Sequence, residues 1–134
     1  ACATEGYEPN VATAKRQLEP LGVEVIEVTN HAEMPFEDGT FDLIVNRHGA
    51  FSLSEEHRLL SPGGAFLTQQ VGEQTNQEIL ELFEQPFPPP PHDRFDYGNL
   101  DRARAEAQEA GFHVDFADEA VTFRRFLDSG ALAY

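Results

Sequence analysis

The chain has 134 residues, with 9 Lys+Arg against 24 Asp+Glu, and so a formal net charge of −15 at pH 7. That length suits a single domain over residues 1–134, and 40% apolar residues suffice for a packed core, which excludes wholesale disorder. The few bases are scattered rather than clustered, which argues against nucleic acid as a partner, because neutralising phosphates needs grouped Lys and Arg.

The predicted elements follow in chain order. Residues 1–9 open on small residues, read as a short first strand, and end in an acidic turn at Glu5-Gly6-Tyr7. Residues 10–19 read as a helix, with Asn10 as N-cap, Val11, Ala14 and Leu18 on one face, and Pro20 as the stop. Val23 to Val28 alternates as a β-branched strand. A polar connection with the turn signal Glu37-Asp38-Gly39-Thr40 leads to a nearly all-apolar strand, Phe41 to Asn46, of the kind buried on both faces of a parallel sheet. Residues 54–60 make a short amphipathic helix capped by Ser54, and Ser61-Pro62-Gly63-Gly64 is expected to break the chain before a strand over 65–71. Residues 75–83 read as a helix and Pro88 to Pro91 as a stiff connector. Residues 99–110 are a helix with Asn99 as cap and Gly111 at the left-handed position beyond its end. Phe112 to Phe116 alternates as a strand, with Val121-Thr122-Phe123 as an antiparallel edge partner.

Alternating strands and helices imply an α/β fold, a Rossmann-like three-layer sandwich with a mostly parallel sheet and an antiparallel C-terminal hairpin. In such sheets ligands bind beyond the carboxyl ends of the strands. The residues to inspect are therefore Glu5-Gly6-Tyr7, Asn30-His31-Ala32 and Asn46-Arg47-His48. A strand-end carboxylate can accept two hydrogen bonds from a ribose diol, an amide or a backbone N–H can read an adenine edge, and a neutral imidazole can take a proton. Each has a plain structural alternative: Asn30 as a turn residue, Arg47 as half of a salt bridge, His48 as a surface side chain.

Two segments in order, MPFEDGTFDLIVNRH (Met34 to His48) and RLLSPGGAFLTQQ (Arg58 to Gln70), resemble signatures of the class I S-adenosylmethionine-dependent methyltransferases of the type 11 kind. The likeness covers residues 1–72 well and 99–118 more loosely. It implies S-adenosylmethionine as cofactor and methyl transfer to a small-molecule acceptor. By the same resemblance Glu5 binds the ribose hydroxyls, with Gly6 and Tyr7 beside it and Glu8 as a rival acid. Asn30 stands where the family carries an acid for the adenine amino group, and His31 offers its backbone N–H to the ring. Asn46 and Arg47 lie near the methionine moiety, and His48 is the candidate general base.

The family's first strand and its glycine-rich loop would precede residue 1, and nothing like them occurs in the sequence. The chain is therefore expected to be a piece of a longer enzyme. By itself it should form two half-sheets with unpaired inner edges and hold the cofactor weakly. The competing reading is a non-catalytic Rossmann-like binding module without the glycine loop; another α/β enzyme, using a dinucleotide with Glu5 on its ribose, is a third. His31, His57, His92 and His113 lack metal-site spacing and Cys2 is the single cysteine, so no metal is expected. No 18-residue apolar run and no signal-like leader occur, and the one cysteine fits a reducing compartment, so a cytoplasmic location without membrane attachment is expected.

Overall fold

The computed structural model describes residues 1–72, 75–82 and 98–122. Four strands and four helices fall in the order β1 (Cys2–Glu5), α1 (Glu8–Leu18), β2 (Glu24–Glu27), β3 (Phe41–Arg47), α2 (Leu53–Leu59), β4 (Leu60–Gln69), α3 (Gln77–Leu82) and α4 (Leu100–Glu109).

Helix α1 starts earlier than Asn10. Tyr7 occupies the cap position in extended conformation, and its carbonyl accepts from the Asn10 N–H at 2.8 Å. The reason lies in Pro9, which sits in the first turn, where its fixed φ suits a helix and its missing N–H costs nothing. Glu8 faces the positive end of the helix dipole, and Lys15 and Arg16 its negative end. The face expected from spacing is the one that packs: Val11 is buried and Ala14 and Leu18 are half-buried. A 3-10 turn over Glu19–Leu21 and Gly22 at φ 78° then turn the chain into β2.

Each helical crossover joins a parallel pair, as parallel strands require. β1 runs beside β2 with Cys2 opposite Glu24 and Glu5 opposite Glu27. β3 runs beside β4 with Leu43 opposite Ala65 and Arg47 opposite Gln69. Among the described residues all pairing is parallel, but it makes two separate two-stranded sheets rather than one continuous layer. β4 also begins sooner than expected. Leu60 already pairs with Phe41, and the Ser61-Pro62-Gly63-Gly64 segment is absorbed as a register shift inside the strand instead of ending the ladder.

A cluster of rings packs against Phe66 of β4. Phe66 meets Phe51 edge-on at 5.0 Å and Phe112 at 6.0 Å, and His57 of α2 stands edge-on to Phe112 at 5.3 Å. Leu59 is 1% exposed beneath α2. The face of β3 and β4 opposite Phe66 is open: Leu43, Val45 and Leu67 are all more than half exposed.

Among the described residues the expected C-terminal hairpin is not formed. No strand exists over 112–122. The Phe112 N–H instead donates to the Ala107 carbonyl at 3.0 Å, closing α4, and its ring anchors against Phe66 and His57. Phe116 and Val121 remain 79% exposed. Alternation supplied a face for one ring, yet a strand also needs a ladder partner, and none is at hand among the described residues. Phe123, the Pro88 to Pro91 connector and the end of the third predicted helix lie outside the described residues. Helix α4 itself follows expectation: the Asn99 side chain accepts from the Arg102 N–H at 3.1 Å, and Gly111 adopts φ 96° just beyond the end.

Candidate functional site

The carboxyl ends of β1, β2 and β3 converge on a cavity of about 320 Å³. Its walls are Glu5-Gly6-Tyr7 after β1, Val28, Thr29 and His31 after β2, and Gly49-Ala50 after β3.

The first wall is built by close backbone approach. The Val28 N–H donates to the Glu5 carbonyl at 3.1 Å, extending the ladder past β1. The Val28 carbonyl oxygen then lies 2.7 Å from where a side chain on Gly6 would begin, so only glycine fits. The Tyr7 N–H donates to Glu5 Oε1 at 2.8 Å. That bond turns the carboxylate at the mouth of the cavity and leaves Oε2 without a hydrogen-bond partner among the described residues.

The second wall separates two neighbouring residues expected to act together. The Asn30 side-chain oxygen accepts from the Ala32 N–H at 3.1 Å, and its carbonyl accepts from the Glu33 N–H at 3.4 Å. Asn30 therefore caps its own turn and does not line the cavity, while His31 does, half-buried and with Nε2 3.8 Å from the position of a Gly6 side chain. Val28 and Thr29 also belong to this wall. They carried no signal in the sequence, because they contribute shape and backbone.

The third wall is held by Asn46. Its Oδ1 accepts from the Gly49 N–H at 3.3 Å and from Gln70 Nε2 at 2.8 Å, and its Nδ2 donates to the Ala50 carbonyl at 3.4 Å. Asn46 thus fixes the two residues that face the cavity without facing it. His48 makes the turn possible at φ 57°, an uncommon value for a residue with a side chain, and its N–H donates to the Gln69 carbonyl at 2.9 Å. Arg47 Nε donates to Gln69 Oε1 at 3.0 Å. Arg47 and His48 are exposed and stand off the cavity, Arg47 tied to a side-chain amide rather than to an acid.

Behind the second wall lies a clamp that sequence reasoning passed over. Arg58 donates through Nη2 to Glu55 Oε1 at 2.6 Å, through Nε to Glu55 Oε2 at 2.9 Å and through Nη1 to Asp38 at 2.6 Å. It also donates to the carbonyls of Phe36, at 2.9 Å, and Met34, at 3.3 Å, while the Met34 N–H donates to Glu55 at 2.6 Å. One guanidinium therefore pins residues 34–38, which continue from the Asn30 turn, onto α2. The signal available in the sequence was the three-residue spacing of Glu55 and Arg58 on one helix. Hydrogen bonding from Arg58 holds the Glu55 carboxyl below its usual range. The adjacent Glu56 goes the other way, pushed up to about 7 by burial and by the charge of Glu55.

Among the described residues no three His, Cys, Asp or Glu side chains gather as a metal site, and no helix is long and apolar enough to cross a membrane.

With this geometry in hand, comparison gives three findings. The family model described as a methyltransferase domain matches residues 2–68. The structure described as a sarcosine dimethylglycine methyltransferase from Galdieria sulphuraria is similar in fold, with a TM-score of 0.55 at 20% identity. The match covers 82% of this chain but only 44% of that one. No curated protein matches the sequence.

Proposed function

The chain belongs to the methyltransferase domain family, and from that membership we propose that the cavity beside Glu5 binds S-adenosylmethionine and serves methyl transfer to a small-molecule acceptor. When bound, that cofactor supplies an electrophilic sulfonium methyl group. The observation that carries the reading is a carboxylate with one oxygen anchored and one open, beside a glycine that admits no side chain, at the carboxyl end of a parallel strand.

The residues present fit the nucleoside part of the cofactor. Glu5 Oε2 is placed to accept from ribose hydroxyls, with the Tyr7 N–H holding the other oxygen in line. Gly6 keeps the floor of the cavity flat, and the volume lies at the lower end of the range for small-molecule pockets. Asn46 positions Gly49 and Ala50 as the far wall. His31 supplies a backbone N–H at the cavity edge. Asn30 spends its side-chain oxygen on its own turn and stands off the cavity, so it takes no part in this reading. With His48 and Arg47 standing off the cavity, the mechanism proposed here needs no general base, and holding acceptor and methyl group in line provides the rate.

The test is titration of the intact chain with S-adenosylhomocysteine, followed by backbone amide shifts. The amides of Glu5 to Tyr7, His31 and Gly49 are expected to move, and Glu5→Ala is expected to weaken binding about 10–100-fold, the worth of hydrogen bonds to a charged acceptor. Shifts confined to other surfaces, or an unaltered affinity in Glu5→Ala, would reject the proposal.

A further inference from the structure

We propose that the His31 imidazole is a second ribose-reading group, contacting a ribose hydroxyl from the wall across from Glu5. The inference rests on the nucleoside reading above and deepens it, adding a side-chain role to a residue so far credited only with its backbone.

Three observations converge on the ring. His31 lines the same open pocket as Glu5, so both residues border one ligand-sized space. The ring is half-buried, and its Nε2 is the side-chain atom nearest the empty position on Gly6, at 3.8 Å. Neither ring nitrogen has a hydrogen-bond partner among the described residues. The ring nitrogens are thus open to a ligand hydroxyl that takes the place of water in the pocket. Nε2 lies beside Gly6, the residue next to Glu5, so a diol held by Glu5 is expected within its neighbourhood.

The chemistry of the two groups is complementary. A carboxylate can only accept, whereas a neutral imidazole donates from one nitrogen and accepts at the other. A hydroxyl that donates to Glu5 still has lone pairs to offer, and a ring N–H can donate to them. The Asn30 turn is what makes this possible. By bonding its own side chain to the Ala32 N–H, Asn30 turns outward and leaves His31 as the residue that enters the cavity.

The experiment compares two ligands on the intact chain: S-adenosylhomocysteine and its counterpart lacking both ribose hydroxyls. His31→Ala and His31→Phe are expected to weaken S-adenosylhomocysteine about 3–10-fold, the range of one neutral hydrogen bond, and to leave the affinity for the deoxygenated counterpart at the wild-type value. His31→Gln, which offers a side-chain donor and acceptor at similar reach, is expected to recover most of the loss. Equal weakening on both ligands, or none on either, overturns the assignment while leaving the Glu5 site standing. A wild-type chain whose amides respond to neither ligand overturns the nucleoside reading and this inference together.

Discussion

Glu55 and Glu56 are neighbours on one short helix and live in opposite electrostatic worlds. Glu55 is 6% exposed, yet each of its oxygens faces the Arg58 guanidinium, so its charge is matched. Glu56 is 4% exposed, and its Oε2 has no partner among the described residues. Burial of an uncompensated carboxylate favours the protonated form, and the Glu55 charge adds to that, which raises Glu56 from 4.5 to about 7. The sign of the consequence follows. Between those two values the folded state binds a proton that the unfolded chain does not, so the stability tied to Glu56 is complete below 4.5 and is lost as pH rises through 7. Glu56→Gln keeps the shape and removes the charge. It is expected to stabilise the chain at pH 8 by on the order of 1–2 kcal/mol, after allowing for residual solvent screening, with the gain largely gone by about pH 4, below the unfolded value. Urea titrations of both proteins at the two pH values decide the matter, and a gain of equal size at both would mean that the carboxylate is hydrated. The spacing from Leu53 and Leu59, three positions to either side, puts Glu56 on their face, but a glutamate is by type ordinarily assigned to water, so the sequence reading passed it over.

At the level of elements, the sequence was most readable where pattern and packing agree. The β-branched alternation before Val28 and the apolar run from Phe41 both became strands, because strand spacing alone decides which side chains a sheet can bury. The acid that ends β1 was legible as a strand-end residue, and it does line the cavity, since topology places such residues at one rim. The third wall was found only in part: Asn46 stood out by type, but its three hydrogen bonds are to groups that no spacing rule connects. The C-terminal strands failed for a related reason, since alternation names a face and not a partner. The Arg58 clamp is the element-scale feature with a testable consequence. It ties the loop over 34–38, and through it the turn bearing His31, to α2 by a planar fork that meets a carboxylate edge-on. Arg58→Met is expected to lower the urea midpoint with little change in the slope, because the loss is of stability rather than of buried surface. Arg58→Lys is expected to recover only a small part, since an ammonium offers one point charge to a site that uses three nitrogens. Full recovery by lysine would show that charge alone, not the fork, fastens the loop.

For the whole molecule, two opposing electrostatic effects must be weighed. Twenty-four acids against nine bases leave −15, a field that repels itself in the compact state. Against it stand the ion pairs of Arg58 with Asp38 and Glu55, at 2.6 Å each, which salt would weaken. Another pair among the described residues, His113 with Asp115, is about 90% exposed on both sides and counts for little. Numbers decide the balance. One guanidinium is engaged with two carboxylates, whereas the surplus of acids is spread over the surface, where screening reaches it first. The Debye length falls from about 30 Å at 0.01 M to about 8 Å at 0.15 M, so repulsion between distant acids is relieved while the close Arg58 contacts are largely retained. The urea midpoint at neutral pH is therefore expected to rise as sodium chloride increases over that range, and the rise should be steeper in Arg58→Met, which lacks the screened attractions that work against it. Measuring both proteins across the same salt series checks the argument, and a midpoint that falls with salt in the wild type would place the dominant charge effect in the clamp instead of in the net charge.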